Sequence, residues 1–315
     1  MTASFPQTAI ARLSDHTGPV HALTFSGGSG QYVLSGGQDR TVRLWNPASK
    51  RLIQSYRAHG YEVLDIAVSD DNARFVSVGG DKTVFLWDVA TAQTTRRFNG
   101  HAGKVNACAF GGDGESVIVT GSFDGTIKIW DCKSRSEKPI MTFSEAKDSV
   151  SSIAVREHEI YAGSIDGRVR TYDLARGCVE VDALGSSVTS VAVTTAADSY
   201  LASTLDSTAR LMDRPTGKCL QTFKHAEFRN DSYRTRSCLA MADASVIAGS
   251  ENGSVCVWDV LSGELQHRLW HKQDQTASVN VKKDVVAAVA WNQMRKQWAS
   301  AGGDGVVVIW GLDEK

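Results

Sequence analysis

Three times along the chain a histidine, a hydroxyl residue, an aspartate and a tryptophan follow one another at nearly the same spacing. They are His16, Ser35, Asp39 and Trp45; His59, Ser77, Asp81 and Trp87; and His101, Thr120, Asp124 and Trp130. An imidazole within reach of a hydroxyl and a carboxylate is the material of nucleophilic hydrolysis, in which the base takes the hydroxyl proton and the acid orients the base. Such catalysis needs one converging site, whereas this set recurs, so a structural role is expected instead. No GxGxxG, Walker, HExxH or GxSxG motif is present, and no cluster with metal-ligand spacing lies outside these sets. The expectation is therefore a protein that is not an enzyme and holds no cofactor or metal.

The elements that must position these residues are repeated as well. The frame Asp39 to Trp45 returns as Asp81 to Trp87, Asp124 to Trp130, Asp166 to Tyr172, Asp206 to Met212, Asn252 to Trp258 and Asp304 to Trp310. The large apolar anchors at 45, 87, 130, 172, 212, 258 and 310 are 40 to 52 residues apart. Within a repeat, short runs of alternating polar and apolar residues are separated by turn clusters such as Asp70-Asp71-Asn72 and Gly79-Gly80-Asp81. That is the pattern of four short strands, and no helical period is visible. A period near 40 to 45 with the dipeptides Trp87-Asp88, Trp130-Asp131 and Trp258-Asp259 resembles the WD repeat. Seven such repeats predict an all-β, seven-bladed propeller. Residues 8–13 read as a strand without a blade, and the last repeat lacks its fourth strand. The N-terminal strand is expected to complete the last blade, which removes two open sheet edges. One domain, residues 1–315, is expected.

Composition narrows the function classes. The 315 residues carry 34 Lys+Arg and 35 Asp+Glu, a formal net charge of −1, which argues against a surface committed to nucleic acid. No uncharged apolar stretch reaches the ~18 to 20 residues of a membrane helix. Residues 1–12 lack the pattern of a secretory leader. The six cysteines are scattered and form no CxxC pair, so free thiols in a reducing compartment, the nucleus or the cytoplasm, are expected.

In the WD-repeat family the indole N–H, the hydroxyl and the imidazole are linked to the turn carboxylate, and the resemblance implies the same for the three sets above. Repeats 4 and 5 depart from it: they have no His at the expected position, place Ala162 and Ala202 where the hydroxyl belongs, and end on Tyr172 and Met212. Repeat 6 has Ala248 and Asn252 at the hydroxyl and carboxylate positions. Blades 4 to 6 are thus expected to rely more on apolar packing.

Function in a propeller is expected on loops. By family geometry the residue before each turn Asp faces the mouth of the central channel: Gln38, Gly80, Phe123, Ile165, Leu205, Glu251 and Gly303. None is Arg, which disfavours a phosphopeptide reader, and Glu251 is the one acid that a hydrolase could use. Phe123, Ile165 and Leu205 form an apolar sector suited to a protein partner. Tyr61, Glu62 and Lys104 are a second candidate surface. A third is an insertion at 226–236, where Phe228, Arg229, Tyr233, Arg234 and Arg236 interleave aromatics with arginines that could grip an acidic partner or RNA. A second insertion spans 272–284.

Several strings, including His59 to Asp65, Gly100 to Asn106, Gly163 to Arg170 and Leu205 to Asp213, resemble the mitogen-activated protein kinase organizer (WD repeat-containing protein 83) family. The resemblance implies a non-catalytic scaffold that is monomeric when isolated. Its expected partners are spliceosomal proteins or, alternatively, members of a mitogen-activated kinase cascade. RNA would be touched only indirectly or through the 226–236 loop, and no membrane contact is implied. The Arg/Tyr insertion favours the splicing assignment.

Overall fold

The computed structural model describes residues 4–272 and 283–312. Among them are 28 β-strands and no α-helix. The strands form seven four-stranded antiparallel sheets. Blade 1 comprises β2 (Val20–Phe25), β3 (Val33–Gly37), β4 (Thr41–Asn46) and β5 (Arg51–Arg57). Blades 2 to 6 repeat this order over residues 63–98, 105–143, 150–183, 188–223 and 237–270. Blade 7 contains β26 (Val286–Asn292), β27 (Gln297–Gly302) and β28 (Val307–Gly311), and its outer strand is β1 (Thr8–Leu13). The ring closes as expected: β1 pairs antiparallel with β28, Thr8 opposite Gly311 and Leu13 opposite Val307. The closing segment is locked by the buried Phe5 and by Trp298, whose Nε1 donates to the Pro6 carbonyl at 2.8 Å. Trp298 in turn stacks on Trp310 with ring centroids 4.7 Å apart.

The core lies between blades, because each sheet turns both faces to a neighbour. Leu34, Val42 and Tyr56 of blade 1 pack with Val63, Ile66 and Phe75 of blade 2, and the later blades repeat the arrangement. Close approach explains one recurring glycine. A Cβ on Gly121 or Gly163 would come within 2.5 Å of Val150 or Val188 in the next blade.

The innermost strands carry the feature that shapes the channel. In six blades the register against the second strand skips one residue, at His21, Leu64, Asn106, Ser151, Thr189 and Ala287. These are β-bulges, which remove one residue from the ladder and re-aim its side chain. His21, Leu64, Asn106 and Ala287 line the mouth of the channel.

Candidate interaction face and channel mouth

The mouth is built by one backbone contact used seven times. The N–H of Gln38, Gly80, Phe123, Ile165, Leu205, Glu251 and Gly303 donates to the carbonyl of Pro19, Glu62, Lys104, Ser149, Ser187, Arg229 and Val285, respectively. Each bond ties the turn before the Asp position to the loop that enters the innermost strand. In six blades the acceptor immediately precedes the innermost strand, so those six residues occupy equivalent places on one face; in blade 6 the acceptor, Arg229, lies in the 226–236 insertion instead.

The polar sets beneath this face are geometrically complete. His16 Nδ1 lies 2.9 Å from Asp39, its Nε2 lies 2.8 Å from Ser35, and Trp45 Nε1 donates to the Ser35 hydroxyl at 2.8 Å. His59 bridges Asp81 and Ser77 at 2.8 and 2.7 Å, and Trp87 donates to Ser77. His101 bridges Asp124 and Thr120 at 3.1 and 2.8 Å, and Trp130 donates to Thr120. The hydroxyls are fully buried, so no substrate reaches them. Burial pushes the Asp39 and Asp124 carboxyls up, but hydrogen bonds from His16, Thr41 and Thr126 outweigh it and hold both well below the usual range.

Blade 7 holds a fourth set that the spacing concealed. His271 Nδ1 lies 2.8 Å from Ser300, its Nε2 lies 3.3 Å from Asp304, and Trp310 donates to Ser300. The insertion after His271 lengthens the His-to-Trp interval, so a search at fixed spacing misses it. Ser300, Asp304 and Trp310 keep the spacing of the other sets, and His271 is the histidine that precedes the insertion.

Blades 4 and 5 correct an expectation. They do not fall back on apolar packing alone: Arg170 pairs with Asp166 at 2.6 Å, and Arg210 pairs with Asp206 at 2.7 Å. Arg170 is almost wholly buried and stands four residues after its carboxylate, as Arg43 does beside Asp39 in blade 1, where the imidazole is also present. Residues four apart on a strand share a face, and Asp-x-x-x-Arg was the signal available. In blade 6, Asn252 is bonded by Ser254, while Trp258 Nε1 has no hydrogen-bond partner among the described residues.

The first insertion is reassigned in part. Phe228 does not face a partner: it is buried and packs edge-on against Trp258, centroids 5.1 Å apart at 85°. Arg234 and Arg236 do not project into solvent either. Arg234 Nη1 donates to the Asn106 carbonyl at 2.7 Å. Arg236 pairs with Asp65 at 2.8 Å and donates to the Leu64 carbonyl at 3.0 Å. The loop is held down by Glu251, whose buried carboxylate accepts from the backbone N–H groups of Asp231, Ser232 and Tyr233 at 2.6 to 2.8 Å. The one mouth carboxylate open to a hydrolase reading is thereby engaged in folding. Arg229 stays exposed beside Asp231, and Tyr233 lines the channel mouth. Of the second insertion only Lys272, Lys283 and Asp284 belong to the described residues, and Lys272 pairs with Asp284.

The remaining candidates lie on the face. Tyr61 and Phe123 are 62% and 59% exposed, Ile165 is exposed, and Leu205 is half-buried. Gly80 makes room for Tyr61 and Glu62, since a Cβ there would meet them at 2.9 and 3.0 Å. Lys104 is exposed, with its ammonium 5.6 Å from the Phe123 ring centroid. Glu62 and Lys104 also converge on His21. Burial lowers the His21 pKa to about 4, with Arg234, Arg236 and Lys104 adding to the effect and Glu62 opposing it. Among the described residues no group of His, Cys, Asp and Glu could hold a metal ion.

Comparison with known proteins agrees with this architecture. Residues 7–46, 50–88 and 92–131 match the WD domain, G-beta repeat family. The chain is 45% identical to WD repeat domain-containing protein 83 of Rattus norvegicus, over 82% of this chain and 81% of that protein. It is 38% identical to the Danio rerio protein of that name over 98% and 93% of the two chains. A Dictyostelium discoideum homolog is 27% identical over 96% and 97%. With both its repeat geometry and these relatives in view, the chain belongs to the WD repeat domain-containing protein 83 family.

Proposed function

We propose that the protein is a non-catalytic scaffold whose channel-mouth face binds protein partners, and that its assembly is the splicing machinery of the nucleus. The observation that carries the scaffold reading is the set of exposed side chains, Tyr61, Phe123 and Ile165 with Lys104, on the mouth loops of blades 2 to 4. Aromatic side chains in such a setting are the usual anchors of protein interfaces. The four His-hydroxyl-Asp-Trp sets give no support to catalysis, because their hydroxyls are sealed in the core. Scaffolding of a mitogen-activated kinase cascade, in the cytoplasm, is the second reading, and it rests on the family resemblance.

The test is capture from native nuclear and cytoplasmic extract, read by mass spectrometry with and without nuclease. Recovery of splicing proteins that survives nuclease supports the first reading, and recovery of kinase-cascade proteins instead replaces it with the second. A folded variant with Tyr61, Glu62 and Lys104 all changed to Ala should lose most of the captured partners. Unchanged capture by that variant rejects this face.

A further inference from the structure

At the centre of the mouth lies a cavity of about 370 Å³, within the size range of ligand sites. Its polar lining is His21, Lys104, Asn106, Tyr233, Arg234 and Arg236 together with Gln38, and no carboxylate stands among the described residues that line it. The charges around it do not balance. Arg236 is neutralised by Asp65. The Lys104 ammonium lies 5.6 Å from the Phe123 ring centroid and makes no ion pair among the described residues, although Glu62 shares its neighbour His21. Arg234 has the Asn106 carbonyl on Nη1, while its Nε is shielded from solvent and has no partner among the described residues. Burial, with Arg236 adding to it, pulls the Arg234 pKa down to about 9, which leaves the side chain charged at neutral pH. His21, lowered by the same surroundings, adds no compensating charge.

Desolvating a guanidinium without an anion is costly, and removing water from a charge is offset only by a close opposite charge. The fold nevertheless holds Arg234 in place. Glu251 clamps the loop that carries it, and the buried Asn230 donates from Nδ2 to the Thr204 carbonyl at 3.1 Å and lies 3.2 Å from the Thr189 hydroxyl. With Nη1 committed and Nε sealed, Nη2 is the nitrogen left for an acceptor that enters the cavity. The rest of the wall is apolar, from Pro19, Leu64, Val285 and Ala287.

We infer that this cavity is a receptor for a carboxylate side chain presented by a partner protein, within a short segment that is acidic at one position and apolar beside it. The inference rests on the scaffold reading above and names the chemistry of the partner. Arg234 supplies a charge-assisted contact through Nη2, Lys104 the outer charge, and the apolar wall takes the neighbouring side chains. Because the loop is clamped before the partner arrives, little ordering cost remains to be met on binding.

The test uses the full chain and three fluorescein-labelled heptapeptides, Gly-Leu-Xaa-Leu-Val-Gly-Gly, in which Xaa is Glu, Gln or phosphoserine. Anisotropy is read at about 0.15 M salt. The Glu peptide should bind, and the Gln peptide at least tenfold more weakly. Arg234→Met should lose at least tenfold in affinity for the Glu peptide while its melting temperature stays level or rises, since an unpaired charge is removed. Arg176→Met, at an exposed position on blade 4, should bind as wild type. Should Arg234→Met not fold, Lys104→Met, which alters an exposed side chain, must show a loss of severalfold. Equal binding of Glu and Gln peptides, tighter binding of the phosphoserine peptide, undiminished binding by Arg234→Met, or no binding at about 1 mM peptide would each overturn the inference. Capture by a variant with Tyr61→Ala and Glu62→Ala that keeps Lys104 is read independently of those results, so failure of the cavity and failure of the face are told apart.

Discussion

Replacing Asp81 by Ala tests whether the repeated polar sets hold the blades. Asp81 accepts from His59 Nδ1 at 2.8 Å and from the Gly60 N–H at 2.9 Å. Its side chain is 12% exposed and that of His59 is 1% exposed. Truncation strands the imidazole N–H in the core, beneath the Ser77 hydroxyl that also receives Trp87. A charge-assisted bond contributes about 1.5 to 3 kcal/mol, and an orphaned buried donor adds to the loss. A destabilisation of about 3 kcal/mol is expected. With an unfolding entropy of about 2 cal/mol/K per residue, a chain of 315 residues loses about 1.5 °C per kcal/mol, so the melting temperature should fall by about 4 to 5 °C. Calorimetry on wild type, Asp81→Ala, His59→Ala and the double variant forms a cycle. The double variant should cost at least about 1 kcal/mol less than the two singles added together, because either change alone breaks the same network. Strict additivity, or a melting temperature within 1 °C of wild type for Asp81→Ala, would refute the reasoning.

Three further outcomes follow from the geometry. His21 has a pKa of about 4 in the folded chain, below its ordinary 6.5, so its contribution is intact above pH 6.5 and declines as pH falls toward 4. Between about pH 7.5 and pH 5 the folded chain should lose about 2 kcal/mol from this group, and His21→Gln should flatten that part of the urea-stability profile; parallel profiles for the two proteins would contradict it. Phe228→Ala should destabilise by about 3 kcal/mol through the cavity left over Trp258, and a loss below about 0.5 kcal/mol would return Phe228 to the surface. Removing residues 1–13 should open the edge of β28 and cause self-association visible in light scattering, whereas a stable monomer would show that β1 is dispensable for closure.

Much of this molecule was legible before any coordinates. Strand order, blade number and ring closure follow from local signals, because alternation and turn chemistry act within a few residues. The sets at His16, His59 and His101 share one spacing, since each blade repeats the same short path between strands. The fourth set was hidden because an insertion stretched the interval to His271 without moving the imidazole in space. The Arg170–Asp166 and Arg210–Asp206 pairs were visible as a strand-face pattern, yet the burial of Arg170 emerges only from the tertiary structure.

The 226–236 segment marks the boundary most sharply. Its composition reads as a solvated, partner-seeking loop. Its placement is decided by contacts to residues far along the chain: Phe228 against Trp258, three N–H groups against Glu251, Arg234 against Asn106 and Arg236 against Asp65. The sequence by itself determined the blades, since strands and turns are chosen by neighbouring residues. Only the tertiary structure decided that two arginines point into the channel, because the carbonyls and the carboxylate that receive them come together when the ring closes.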